Sequence, residues 1–157
     1  MSENNPFDHP AWRGADYQPE LTGLPLRKAA CEALGWRWVR HYEIGKFCFV
    51  LTDPVELAKW KPEFIYNSES LTVDHDIDMS RAPAIESDPA ASEPLFLDWC
   101  AKHSMSFYMS HNVGADYFVN VVEHRPNAST TLGRLDVHVT GSTPSEARAR
   151  AIVKAGK

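Results

Sequence analysis

The chain is poor in cysteine: Cys31, Cys48 and Cys100 are the whole set, and no two stand in a CxxC spacing. An odd, scattered trio argues against a disulfide frame or a zinc knuckle and reads as reduced, partly buried thiols. Long apolar runs are missing too. Nothing approaches the roughly 20 residues a membrane span needs, and no charged-then-apolar leader opens the sequence. That pattern predicts a cytosolic protein with no membrane partner. Basic charge is in deficit, with 16 Lys and Arg against 21 Asp and Glu and a net charge of −5. Binding to long nucleic acids rests on many cations that release counterions, so that function is not expected. A small anionic ligand, which needs two or three local cations, stays open.

Catalytic signatures are equally scarce. Only eight glycines occur, and none builds a GxGxxG or GxxxxGK[ST] loop for a dinucleotide or triphosphate. Seven histidines give no HxH, no HExxH and no deaminase-type H-x-E with a downstream PCxxC. There is no G-x-S-x-G. Cys100 and His103 stand three apart on a predicted helix, but a cysteine on an apolar helix face is a core thiol by default. The run DHDID at 74–78 places Asp74, Asp76 and Asp78 like the first ligands of a calcium loop. It lacks the glycine after Asp78 and has Ile85 where the bidentate Glu belongs. An acidic, solvated loop is the simpler interpretation. No metal and no cofactor are expected.

What is present suits one domain. With 157 residues and 43% apolar content, the chain can bury a single core. Residues 1–20 are polar, proline-punctuated and aperiodic, and read as a flexible N-terminal arm carrying Phe7, Trp12 and Tyr17. Residues 21–157 read as a single α+β domain. Pro25 to Leu34 has an apolar stripe of Leu26, Ala30, Ala33 and Leu34, closed by Gly35, and predicts the first helix. Residues 36–43 and 46–51 predict a hairpin around Ile44–Gly45, with Trp36, Trp38 and Tyr42 on one face and Phe47, Phe49 and Leu51 sharing a face of the second strand. At least one of the two tryptophans should lie under a helix. Between Thr52 and Pro83 the period fades, leaving room for one short strand or helix. A second helix follows, capped by Ser87, Asp88 or Ser92, with Pro89 and Pro94 confined to its start. Strand-like runs at 105–112 and 116–124 flank a VGA turn. In GRLDVHVTG, Leu135, Val137 and Val139 alternate with Arg134, Asp136, His138 and Thr140, which is a half-buried strand. His124 and His138 are expected to face each other across strands. Thr143 and Glu146 form a capping box with Pro144 at the first helical position, and Gly156 ends the last helix. The order gives an α+β layer fold, with helices packed on both faces of a mainly antiparallel sheet.

The remaining polar and aromatic groups suit holding a nucleotide without reacting it. Trp36, Trp38, Phe107 and Tyr108 have ring faces that can stack a base, worth about 1–3 kcal/mol each when fully engaged. Asn112 has the amide that pairs with an adenine edge. Arg148 and Arg150, near the start of the last helix, are candidates to grip phosphate. The simpler alternative is core packing for the tryptophans and a solvated helix face for the arginines.

Three segments resemble the phage ABA sandwich domain family: LRKAACEALGW at the front, PAIESDPAASEPLFLDWCAKH in the middle and TPSEARARAIVKA at the end. Together they cover about a third of the chain. The resemblance implies an α-β-α sandwich. Similar phage proteins of the Thoeris anti-defence type are sponges that bind cyclic ADP-ribose isomers or cyclic oligonucleotides without cleaving them. They assemble as homo-oligomers with pockets between protomers, and act in the host cytoplasm. The resemblance carries Thr143 and Arg150 over as ligand contacts, with Arg148 beside them. The last segment departs from the family pattern, with Pro-Ser where Ala-Pro is expected and Arg148 in place of an apolar residue. The expected function is therefore a non-enzymatic anti-defence protein that sequesters a cyclic nucleotide signal through Trp36, Phe107, Asn112, Thr143, Arg148 and Arg150. The alternatives are a protein-interaction module that inhibits or adapts a host factor, and a metal-assisted hydrolase using Asp74, His75 and Asp76.

Overall fold

A computed structural model describes residues 20–43, 45–71, 75–124 and 135–156. The proposed arm, except Glu20, lies outside them, as do Asp74 and Arg134. The first helix, α1 (Gly23–Ala33), buries Leu26, Ala30 and Cys31. Its end is set by Gly35, whose φ of +98° is the left-handed conformation that glycine adopts without a Cβ penalty. The amide of Gly35 donates to Glu32 O (3.1 Å) and that of Trp36 to Cys31 O (3.0 Å), the paired bonds of a Schellman stop. The chain then enters β1 (Arg37–Glu43) and returns as β2 (Lys46–Thr52), with Glu43 opposite Lys46. The hairpin is as predicted. Trp38 is fully buried and its indole N–H donates to Glu32 of α1 at 3.4 Å. Phe49 and Leu51 join it in the core, but Phe47 and Tyr42 at the hairpin tip are 53% and 67% exposed, edge to face with each other. Arg40 lies over the rings of Phe47, Phe64 and Tyr66 at 4.9–5.9 Å.

The long connection has more structure than its sequence suggests. It forms α2 (Pro54–Leu57), two single 3-10 turns, β3 (Ile65–Tyr66) and β4 (Asp76–Asp78). β3 adds antiparallel to β1, and β4 adds parallel to β2, giving the order β3-β1-β2-β4. After α3 (Pro89–Lys102), β5 (Met105–His111), β6 (Tyr117–Glu123) and β7 (Asp136–Gly141) form a separate antiparallel sheet. The class is α+β, as predicted. The strands divide into two sheets where one was expected, because β3 and β4 complete a sheet around the first hairpin and leave β5–β7 to build their own.

Helix α4 (Pro144–Ala155) packs against both β7 and the pair α1 and α3. One face carries Ser145 and Arg148, both bonded at 3.0 Å to the buried hydroxyl of Ser92 on α3. The other carries Arg150 and Lys154, which donate to the carbonyls of Thr140 (2.8 Å) and His138 (3.2 Å) on β7. Ala147, Ala149 and Ala151 are all fully buried; their small size lets neighbours close on both sides. A single core of Leu26, Trp38, Leu51, Phe96, Val119, Val121 and Ile152 joins both sheets to the helices.

Two local predictions, on Pro94 and on the histidine pair, are corrected, and of the three cap candidates for α3 Asp88 takes the role. Pro94 is inside α3, not at its start, since Asp88 caps the helix and Pro89 takes its first turn. Ser92 is buried in the α3–α4 contact and caps nothing. His138 faces Asn120 and pairs with Asp136 at 3.1 Å, whereas His124 follows the end of β6.

Candidate functional site

The ends of α1 and α3 and the start of α2 enclose a cleft of about 750 Å³, a size that suits a small organic ligand. Trp36 enters it because the Schellman stop of α1 fixes the direction of the next residue. Asp53 caps α2, accepting from the Glu56 amide at 2.9 Å, and Pro54 sits at the first helical position, so the residues Asp53 to Glu56 form one wall. The opposite wall is α3, where Leu95 and Trp99, then Asp98 and Lys102, recur at i, i+4 spacing, followed by His103. Trp99 is 5% exposed, and its ring lies 5.8 Å from that of His103.

The apolar lining comprises Trp36, Trp99, Leu34, Leu95 and Pro54. The charged lining is mixed, with Asp53 and Glu56 on the α2 wall and Asp98, Lys102 and His103 on the α3 wall. Glu56 also pairs with Lys59 at 3.1 Å. The carbonyl ends of α1 and α3 add partial negative charge. Carboxylates of the α2 wall can accept from N–H donors, and Lys102 and His103 are the groups of this lining that can meet an anion.

Of the six residues singled out from sequence, Trp36 lines this cleft. Phe107 on β5 packs edge to face on Phe96 at 5.0 Å and stays 44% exposed. Asn112 lies exposed in the β5–β6 turn, its carbonyl accepting from Ala115 N–H. Thr143 Oγ1 accepts from the Glu146 amide at 3.1 Å as the cap of α4. Arg148 donates to Ser92. Arg150 donates to the carbonyls of Thr140 and Leu21 and pairs with Glu20 (3.2 Å) and Glu146 (3.3 Å). Both arginines thus hold α4 to its neighbours. Trp38, the other tryptophan of the opening strand, is scaffold.

Trp99, Asp98, Lys102, His103 and the wall from Asp53 to Glu56 were missed. The sequence does hold a signal for that wall: Asp53-Pro54 with Glu56 three residues after Asp53 is a helix-start pattern. Among the described residues no three His, Cys, Asp or Glu side chains come together to hold a metal. Asp76 pairs with Lys46 at 2.7 Å, and Asp78 accepts from the Ser80 amide at 2.8 Å. The His75 ring lies 4.8 Å from that of Phe49. Burial pushes the Cys100 thiol up to about 11, so it is a poor nucleophile beside His103. No helix among the described residues is long and apolar enough to cross a membrane.

No family model, curated protein or solved structure matches this chain. The fold and the cleft define the class: an α+β protein with a tryptophan-walled cleft.

Proposed function

We propose that this protein is a non-catalytic binder that sequesters a small, ring-bearing ligand, a cyclic nucleotide signal of the kind neutralised by phage anti-defence sponges. The observation that carries it is the 750 Å³ cleft walled by Trp36 and Trp99, with Asp53 and Glu56 on the α2 wall and Lys102 and His103, beside Asp98, on the α3 wall. A purine seats its ring against Trp36 and directs its exocyclic amine to Asp53 on the α2 wall. Its phosphate faces Lys102 and His103, because Arg148 and Arg150 are engaged within the scaffold. No residue in the cleft has the pairing of an activated nucleophile, which supports retention of the ligand over turnover.

The test is titration calorimetry of the full chain with cyclic ADP-ribose isomers, cyclic dinucleotides and adenosine. After binding, heat denaturation releases the ligand for mass spectrometry. Saturable binding with recovery of intact ligand supports the proposal. No binding to any of them, or recovery of a hydrolysed product, rejects it.

A further inference from the structure

We propose that β5 is a self-association edge, through which two copies of this chain join their β5–β6–β7 sheets into one continuous antiparallel sheet. This surface is separate from the cleft and stands without it. Edge strands expose unpaired N–H and C=O groups, and native proteins guard them by shortness, charge, proline or a covering element. Three of the four sheet edges here are guarded. β3 has two residues; β4 has three and flanks Ile77 with Asp76 and Asp78. On β7, Arg150 and Lys154 occupy the carbonyls of Thr140 and His138. Among the described residues, β5 has none of these devices. It runs seven residues, MSFYMSH, without proline, glycine, lysine, arginine or carboxylate, and no described strand pairs with its outer side.

The hydrogen-bond parity shows which groups face out. The Glu123 amide donates to Leu135 O (2.9 Å) toward β7, and the His124 amide to Ser104 O (2.7 Å) on the other side. Odd positions of β6 therefore bond toward β7 and even ones to β5. Since Tyr108 lies opposite Asn120, the backbone groups of Ser106, Tyr108 and Ser110 turn inward. Those of Met105, Phe107, Met109 and His111 turn outward. A two-fold axis at Tyr108 then satisfies every outward group. Phe107 exchanges two backbone bonds with Met109 of the second copy, and Met105 does so with His111. Ser106 faces Ser110, and Tyr108 faces its own copy in a close, non-hydrogen-bonded pair.

Side chains agree with this register. No like charges meet, the Phe–Met contact is favourable, and Phe107 and Tyr108, 44% and 62% exposed in the single chain, become covered. Isologous pairing of this kind closes at two copies.

Tyr108 is exposed, so charge there disturbs the single chain little, while like charges opposite each other at the axis repel. The experiment compares wild type, Y108K, Y108E and an equimolar mixture of the two variants by light scattering after gel filtration, at tens of micromolar. Circular dichroism confirms that each variant is folded. Dimeric wild type, at least tenfold weaker association for each variant alone, and a restored dimer in the mixture support the proposal. A monomeric wild type, or folded Y108K and Y108E that each dimerise like wild type, overturns it.

Discussion

Arg27 of α1 grips Glu86, in the turn leading into α3, across 59 residues of sequence: its Nε reaches both carboxylate oxygens at 3.0 Å and its Nη2 reaches Oε1 at 2.6 Å. The Glu86 side chain is 7% exposed. This fork ties two of the elements that frame the cleft.

Burial alone would push the Glu86 carboxyl up. The Arg27 hydrogen bonds, with smaller help from the Glu86 amide and Ser87, outweigh burial and hold it below its ordinary value of 4.5. A carboxyl depressed on folding contributes stability that is complete above the ordinary value and is lost as pH falls through the folded value. Glu86→Gln should cost about 2 kcal/mol at about pH 7, as expected for charge-assisted hydrogen bonds. Its deficit relative to wild type should shrink below about pH 4.5. Urea denaturation across that window checks both, and a deficit that stays constant down to about pH 2 would contradict the assignment.

The cleft's mixed charged lining gives predictions of opposite sign. Asp98 and Lys102 are exposed on the same face of α3, so neutralising either leaves the fold intact. For an anionic nucleotide, Asp98→Asn should tighten binding and Lys102→Gln loosen it, each by a factor of about 2–10. Trp36→Ala should weaken binding by about 1–3 kcal/mol through loss of the ring contact. Calorimetry with one ligand and the three variants is sufficient. If Asp98→Asn and Lys102→Gln shift affinity in the same direction, the phosphate is not placed as proposed.

Elements with strong local signals were legible in sequence. The stop at Gly35, the two-residue hairpin turn, the strict alternation of Val137 and Val139, and the Thr143–Glu146 box each depend on neighbours within a few residues. β3 and β4 were not legible. Two and three residues long, they exist because β1 and β2 offer edges to pair with, which no local pattern records. The roles of Arg148 and Arg150 were hidden for the same reason. Their partners, Ser92 and Thr140, come from α3 and β7, and an arginine bonded to buried scaffold looks in sequence like one free for phosphate. Trp36 came forward as a ligand contact on residue type; the two walls of its cleft come from α2 and α3, which only the fold brings together.

Two of the three thiols, Cys31 and Cys100, should be inert in the folded protein. Burial, opposed by Arg27 and reinforced by Glu86 and Glu32, pushes Cys31 up to about 12, and burial pushes Cys100 up to about 11. A thiol is nucleophilic only as thiolate, so at about pH 8 both should resist iodoacetamide and react fully once urea unfolds the chain. Peptide mass mapping reads the sites separately. Rapid native labelling of Cys100 would contradict its burial and reopen a nucleophilic role beside His103.

Gly141 tests the closeness of helix α4 to its sheet. A Cβ built there would lie 2.5 Å from the Ala147 amide nitrogen and 2.9 Å from its Cα. Both are backbone atoms of the helix, so no side-chain rotation relieves the overlap, and α4 must shift away from β7. That shift strains the Arg150 and Lys154 bonds to Thr140 and His138 as well as the buried contacts of Ala147 and Ala151. Gly141→Ala should therefore cost about 3 kcal/mol, at the upper end of overpacking penalties. Thr140→Ala, next to it on β7 but with an exposed side chain, should stay within about 0.5 kcal/mol of wild type. Urea midpoints of the pair measure the contrast. Equal midpoints would mean that α4 does not press on the end of β7, and that its two cations do not hold that edge closed.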